Sequence, residues 1–334
     1  MKVLVVGGSG FIGTRLISDW RAAGHEIVNF DLRHSTTHDA VTVIGDVRDE
    51  GAVRAAAVGC AAIVLLAAEH RDDVRPISLY EQVNVGGARV VAEVAASAGI
   101  ERIVFTSSVA VYGLDKGCPS EDREPEPFNE YGRTKLAAER VLQAWAEGDP
   151  ARTLFIVRPC VIFGERNRGN VYSLARQIAT GRFLFIGAGA NRKSMGYVGN
   201  VVAFLAAGLT AAPGLHLTNF ADSPDLSTRE LVDLIHDQLG RRRRPAIPRP
   251  VGLAASYAFD GAARLTGRSF PISAVRVRKF CAETQVDTAR LQASGFRAPT
   301  PLREALARTL AAEFPDGRVP DGSAGDDGVF GAGQ

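Results

Sequence analysis

The chain has 334 residues, enough for about two domains at roughly 150 residues each. Hydrophobic residues make up 46% and charged residues 23%, an ordinary globular balance that excludes a wholly disordered or fibrous chain. The 39 basic and 37 acidic side chains leave a net charge of +2, which favours neither nucleic acid nor an anionic membrane as a partner. The four cysteines are widely spaced and form no C-x-x-C pair, which favours a cytoplasmic protein with reduced thiols and no metal site. No apolar run reaches the ~20 residues that a membrane-spanning helix needs.

Short apolar runs rich in Val and Ile alternate with helical segments through the first half. The predicted strands are Lys2–Val6, Glu26–Phe30, Val41–Ile44, Ala62–Ala67, Arg102–Thr106 and Thr153–Val157. The predicted helices are Phe11–Ala23, Glu50–Val58, Pro76–Ala98 and Tyr131–Glu147. This alternation predicts an α/β fold, a Rossmann-type doubly wound parallel sheet.

The second half is mixed and mainly helical. Ser227 and Glu230 form a capping-box pattern before an apolar stripe, and Pro301 occupies a predicted first helical position. We expect an NAD(P)-binding Rossmann domain over 1–165 plus 196–221 and a smaller substrate-binding lobe over 166–195 plus 222–314. The polar, Gly-rich stretch 315–334 is predicted to be a disordered tail.

A glycine-rich loop follows the first predicted strand and opens the first helix. Its spacing is Gly7-x-x-Gly10-x-x-Gly13. Gly7 permits a tight turn, Gly10 lets a pyrophosphate approach the backbone, and Gly13 allows close packing of the helix, whose N-terminus attracts phosphate. Asp31 ends the second strand, where its carboxylate can accept hydrogen bonds from an adenosine ribose, which favours NAD. Arg33 could instead meet a 2′-phosphate, so NADP stays open.

Two further motifs complete a recognisable set. Tyr131 and Lys135 are four residues apart on a predicted helix, which places them on one face, and Ser107 and Ser108 end the strand before it. With the glycine loop, this set resembles the extended short-chain dehydrogenase/reductase family, in its NAD-dependent nucleotide-sugar epimerase/dehydratase branch. The resemblance runs from Met1 to about Leu310. Its further motifs are Asp31, Asp46, Ala67-Ala68, Asn84, Val109–Gly113, Arg158-Pro159 and Tyr197-Val198.

The resemblance implies an NAD(P)-dependent epimerase or oxidoreductase with Ser108, Tyr131 and Lys135 as catalytic residues. Tyr131 would take the hydroxyl proton, Lys135 would lower the pKa of Tyr131 and bond the nicotinamide ribose, and Ser108 would bond the reacting oxygen. The implied cofactor contacts are Gly7, Gly10, Phe11, Ile12, Gly13, Asp31, Asp46, Val47, Ala67, Ala68, Asn84, Ser107, Tyr131, Lys135 and Pro159.

The reaction expected from the resemblance is 4-epimerisation of a UDP-glucose or UDP-N-acetylglucosamine type substrate. Val109 and Ala110 replace the acid pair of the family's 4,6-dehydratases, so dehydration is disfavoured. An NAD(P)H-dependent 4-keto nucleotide-sugar reductase and a hydroxysteroid- or flavonol-type dehydrogenase remain alternatives. Val161 stands where many sugar-nucleotide enzymes have Asn, which would suit the last of these.

The resemblance also implies substrate contacts and a partner. The expected substrate-binding residues are Ser108, Tyr131, Asn170, Lys193, Arg276 and Arg278. A homodimer pairing through residues 76–98 and 131–147 is expected. The basic run Arg241–Arg244 is interpreted as an exposed loop rather than a nucleic-acid patch, because no aromatic residues interleave it.

Overall fold

A computed structural model describes residues 1–71, 74–114, 116–252, 254 and 282–320. Its centre is a parallel sheet of seven described strands in the order β10-β6-β5-β4-β1-β2-β3, with helices on both faces. The predicted Rossmann-type α/β fold is therefore confirmed.

The described strands and helices have the following bounds. The strands are β1 Lys2–Val6, β2 Glu26–Asp31, β3 Thr42–Ile44, β4 Ala62–Leu65, β5 Arg102–Thr106, β6 Thr153–Pro159, β7 Val161–Phe163, β8 Arg192–Lys193, β9 Met195–Tyr197, β10 Gly214–Phe220 and β11 Leu226–Ser227. The helices are α1 Phe11–Ala22, α2 Glu50–Ala56, α3 Ser78–Tyr80, α4 Gly87–Ala98, α5 Glu130–Glu147, α6 Asn170–Ala179, α7 Val198–Ala207, α8 Thr228–Gln238, α9 Ala289–Ala293 and α10 Leu302–Glu313. A π-helical stretch, Glu81–Gly86, joins α3 to α4.

Alternate residues of the strands build two hydrophobic layers, one on each face of the sheet. Val3 and Val5 of β1 belong to the layer that contains α1 and α7. Leu4 and Val6 belong to the opposite layer, which contains α4 and α5. Strands buried on both faces need apolar residues at every position, which explains the continuous Val- and Ile-rich runs of the sequence.

Helices α6, α8 and α10 pack against one another, and we call this helical part the smaller lobe. Its buried residues continue the hydrophobic layer that contains α1 and α7. The predicted capping box is present, since the Ser227 hydroxyl accepts from the Glu230 N–H and the Glu230 carboxylate accepts from the Ser227 N–H. Pro301 lies one position before α10 rather than inside its first turn. The two short strand pairs β7–β9 and β8–β11 connect this lobe to the sheet.

Pro315–Gly317 forms one 3-10 turn, and the Gly317 carbonyl accepts a hydrogen bond from Arg241. Residues 321–334 of the predicted tail lie outside the described residues. Among the helices of the described segments, none is both long and apolar enough to cross a membrane.

Candidate active site

The glycine loop between β1 and α1 packs tightly against the chain that follows β4, the strand next to β1 in the sheet. Gly7 has a φ of +89°, and a Cβ there would overlap the backbone of Ala67. A Cβ on Gly13 would overlap Gly8, so only glycine lets the first turn of α1 approach the loop. A Cβ on Gly10 would meet nothing closer than the Gly7 carbonyl, at 3.4 Å. Other backbone atoms therefore fill the space beside Gly7 and Gly13. The space beside Gly10 is free, and there the N-terminus of α1 can receive a phosphate.

Two carboxylates lie at the ends of neighbouring strands beside this loop. The Asp31 carboxylate accepts from the Ser9 and Arg33 backbone N–H groups, each at 3.0 Å, which fixes it next to the glycine loop. The Asp46 carboxylate pairs with Arg48, whose hydrogen bond lowers the pKa of Asp46. The other predicted contacts near the loop are apolar: Phe11 and Ile12 are partly buried in α1, and Val47 is buried.

Asn84 lies in the π-helical stretch and is buried, with its side-chain hydrogen bonds committed to the protein. Its side-chain oxygen accepts from the Glu69 N–H at 2.8 Å. Its side-chain NH₂ donates to the Glu69 carbonyl at 3.1 Å and to the Thr134 hydroxyl at 2.9 Å. Asn84 thereby joins the loop after β4, which contains Ala67 and Ala68, to α5. Its observed contacts are those of a positioning residue.

The start of α5 places Tyr131 beside Ser108, and Lys135 follows one turn later with its ammonium over the Phe105 ring, 4.4 Å from the ring centre. Asn129 caps the helix by accepting from the Gly132 N–H at 2.9 Å, and Tyr131 and Lys135 follow on one buried face. A Cβ on Gly132 would overlap the Ala110 carbonyl, so the helix packs directly on the 3-10 turn that Ser108 caps. The Ser108 side chain lies near the Tyr131 hydroxyl and acts to lower the pKa of Tyr131.

Burial dominates the acidity of both groups. It raises the pKa of Tyr131 to about 12, against the opposing effect of the Ser108 hydrogen bond. Burial also lowers the pKa of Lys135 to about 7, although the negative charge of Glu139 acts to raise it. For the protein groups alone, desolvation of the phenolate therefore sets the pKa of Tyr131. The lowering expected from Lys135 together with the nicotinamide charge stays a prediction.

A buried polar network behind Lys135 is a feature that the sequence analysis missed. Glu139 accepts from the Ser107 hydroxyl and from two nitrogens of Arg158, at 2.9 and 2.6 Å. Arg158 also donates to the Tyr112 hydroxyl at 2.8 Å, which in turn donates to Asn219 at 2.8 Å. The signal was present, because Glu139 is one further helical turn after Lys135 on the same face. The Ser107 hydroxyl thus points into this network.

A cavity of about 260 Å³ opens beside the tyrosine. It is lined by Arg75, Ile77, Tyr80, Asn129, Glu130 and Tyr131. It provides space for a small polar molecule next to the phenol and is bordered by both charged and apolar side chains.

The other predicted site residues lie further along the chain. Pro159 is buried at the end of β6. Asn170 is the first residue of α6, and Lys193 in β8 donates to the Ala282 carbonyl at 3.0 Å. Arg276 and Arg278 lie outside the described residues. Asn84 and Ser108 thus both lie against α5, the helix that carries Tyr131 and Lys135, whereas Asn170 and Lys193 lie in α6 and β8.

The residues at the end of β1 fit a dinucleotide. The glycine cradle leaves its open side at a helix N-terminus, and Asp31 lies at the end of the next strand, where a ribose hydroxyl can donate to it. Gly10 would lie against the pyrophosphate, and Asp31 would hold the adenosine ribose.

Comparison with known proteins agrees with this geometry. The model of the NAD dependent epimerase/dehydratase family matches residues 3–217. The chain is 47% identical over 323 residues to the N-acetyl-alpha-D-glucosaminyl-diphospho-ditrans,octacis-undecaprenol 4-epimerase of Escherichia coli O157:H7, covering 96% of this chain and 97% of the relative. It is 28% identical to the UDP-glucose 4-epimerase of Vibrio cholerae, covering 93% and 95%. The solved structure of MoeE5 in complex with UDP-glucose and NAD is 27% identical, has a TM-score of 0.72, and covers 92% of this chain and 97% of that one.

Proposed function

The chain belongs to the NAD dependent epimerase/dehydratase family, and from this premise we propose that it is a 4-epimerase of an N-acetylglucosaminyl diphosphate carried on a polyprenol. It is an NAD-dependent enzyme of the extended short-chain dehydrogenase/reductase type, as the resemblance implied. Its cofactor is NAD, the cofactor for which the family is named.

One observation carries the proposed substrate. The similarity to the Escherichia coli undecaprenyl-linked 4-epimerase extends over 96% of this chain, so it includes the smaller lobe as well as the sheet. Ser108, Tyr131 and Lys135 are all present, and Tyr131 borders the 260 Å³ cavity that would receive the sugar.

The proposed chemistry divides the work between the cofactor and three side chains. NAD, which Gly10 and Asp31 would help to hold, would supply reversible hydride transfer at C4 of the sugar. Tyr131 takes the proton of the 4-hydroxyl and later gives it back. Ser108, near the Tyr131 hydroxyl, would hold the reacting oxygen. Lys135, one helical turn after Tyr131, would bond the nicotinamide ribose and, when protonated, favour the phenolate.

A nucleotide-linked sugar is the second candidate, because the Vibrio cholerae relative and the MoeE5 complex both involve UDP-glucose. The two candidates share the sugar diphosphate and differ in the group beyond it. The reductase and the hydroxysteroid-type dehydrogenase require net consumption of a nicotinamide cofactor, which epimerisation does not.

The test offers the purified protein N-acetylglucosaminyl-diphospho-polyprenol and UDP-N-acetylglucosamine in separate reactions without added cofactor. Released sugars are identified after mild acid hydrolysis. We expect N-acetylgalactosamine from the polyprenyl substrate at a rate at least tenfold above that from the UDP sugar. Faster conversion of the UDP sugar would favour the second candidate, and no epimer from either substrate would reject both.

A homodimer that pairs through α4 and α5, in the cytoplasm, remains part of the proposal. These two helices already pack against each other on one face of the sheet. Sedimentation at increasing protein concentration tests the dimer, and a monomer throughout would reject it.

A further inference from the structure

Seven exposed arginines lie on two neighbouring segments and at the start of α8, although the whole chain is almost neutral at +2. We call this the arginine surface; its members, all exposed, are Arg182, Arg229, Arg241, Arg242, Arg243, Arg244 and Arg249. Among the described residues, Asp233 and Asp237 are the only acidic residues that form ion pairs with them, and both pair with Arg243. The surface is thus strongly cationic, and the rest of the chain is net negative.

The fold places two separate segments side by side to build this surface. Ile186 pairs with Ile247, the Ile247 N–H donates to the Phe185 carbonyl at 2.7 Å, and the Gly187 N–H donates to the Ile247 carbonyl at 2.9 Å. Arg182 lies just before the first paired segment, while the run Arg241–Arg244 and Arg249 flank the second. Arg229, Arg243 and Arg244 also line one small cavity of about 40 Å³.

Apolar side chains are exposed on the same two segments. Leu184 is 39% exposed and Val251 is 56% exposed. Arg182, Arg242 and Arg249 form no ion pair with another described residue, so their charges are available to a partner. Clustered basic residues with exposed apolar side chains between them are a recognised means of binding the anionic surface of a bilayer.

We propose that the arginine surface docks the enzyme onto an anionic phospholipid bilayer. This inference rests on the proposed function, because a polyprenyl substrate keeps its apolar chain in the membrane and the enzyme must come to it. Guanidinium groups bind lipid phosphates through paired hydrogen bonds, and each basic side chain near an anionic surface adds favourable energy that salt weakens.

The test measures co-sedimentation of the full chain with vesicles of phosphatidylcholine alone and of phosphatidylcholine with phosphatidylglycerol. The charge-reversal variant is Arg242→Glu/Arg249→Glu. The matched control is Arg21→Glu/Arg297→Glu, which makes the same charge change at exposed arginines in α1 and before α10. All three proteins are checked for equal thermal unfolding.

We expect wild type and control to bind the phosphatidylglycerol vesicles in a salt-sensitive way, and the Arg242→Glu/Arg249→Glu variant to bind at least tenfold more weakly. Absence of wild-type binding, equal loss in variant and control, or equal binding to phosphatidylcholine vesicles would overturn the proposal. Binding to a DNA duplex as tight as to the anionic vesicles would also overturn it, by marking a general polyanion surface. Vesicle binding needs no turnover, so a protein that binds vesicles but makes no epimer would fail the proposed function alone.

Discussion

Arg158 and Glu139 form a buried ion pair with two parallel hydrogen bonds, Nη2 to Oε2 at 2.6 Å and Nε to Oε1 at 2.9 Å. Their side chains are 3% and 1% exposed. Burial acts to lower the pKa of Arg158, but the hydrogen bonds and charge of Glu139 outweigh it and raise that pKa. The same carboxylate accepts from Ser107, so the pair connects β6 to α5 one helical turn after Lys135.

Replacing Glu139 by Gln should destabilise the protein strongly, because Arg158 would keep its charge in a buried place without a counter-ion. We expect the free energy of unfolding to fall by about 3–5 kcal/mol, measured by urea denaturation. Glu50→Gln is the matched control, since Glu50 pairs with Arg54 on the surface with both side chains nearly half exposed. That change should cost no more than ~1 kcal/mol. Similar losses in the two variants would contradict the buried-charge explanation.

Much of the sheet was predictable because its strands are buried on both faces. The runs Lys2–Val6 and Arg102–Thr106 match β1 and β5 residue for residue, since continuous Val and Ile mark a doubly covered strand. The strand β10 was not singled out, because Gly214–Phe220 lies at the sheet edge and carries His, Thr and Asn among its apolar residues. Its pairing with β6 depends on tertiary contacts that local pattern does not contain.

The candidate site was predictable in its motif residues and not in how those residues are bonded. Tyr131 and Lys135 share a helix face by spacing alone. The commitment of Asn84 to Glu69 and Thr134 depends on a π-helical stretch and on partners distant in sequence, which spacing does not reveal. The raised pKa of Tyr131 likewise follows from burial in the folded protein.

Alanine at Gly10 should separate cofactor binding from folding. A Cβ at Gly10 meets only the Gly7 carbonyl, at 3.4 Å, so the loop can keep its shape, while the methyl group would occupy the side open to phosphate. We expect Gly10→Ala to unfold within about 1 kcal/mol of wild type and to retain less than a tenth of the bound NAD. Bound NAD is measured by absorbance after denaturation.

Gly7→Ala should reduce both stability and bound NAD. The φ of +89° at Gly7 is unfavourable for alanine, and the new Cβ would overlap Ala67. Gly24→Ala is the control for strain alone, since Gly24 has a φ of +88° and no other atom lies within 4 Å of the place its new methyl group would take. It should lower stability by about 1 kcal/mol and leave bound NAD unchanged. Equal NAD loss in the Gly24 and Gly7 variants would refute the close-approach argument.

Tyr131→Phe should remove turnover while leaving the cofactor in place. The phenol oxygen carries the proton transfer, which contributes roughly 10²- to 10⁴-fold to a rate, and phenylalanine keeps the ring that packs against Val74 and Tyr80. We expect epimerisation to fall by that factor with normal NAD content. The control is Tyr172→Phe, at a tyrosine in α6 that stacks on Phe314. It should leave the epimerisation rate and the NAD content unchanged. A Tyr131→Phe enzyme with a near-normal rate would exclude the phenol as the base.

Lys135 should make the stability of the protein rise with pH above neutrality. Its pKa is about 7 in the folded chain and 10.5 as its ordinary value, so between these limits the unfolded chain holds the extra proton. Stability therefore increases as pH rises through this window, by about 2 kcal/mol between pH 7 and pH 9 from this group.

Lys135→Met has no proton to lose and should abolish that increment in urea denaturation at the two pH values. Lys2→Met, at a partly exposed lysine in β1, should leave it intact. Parallel pH dependences in wild type and Lys135→Met would show that the lysine is not neutralised by burial.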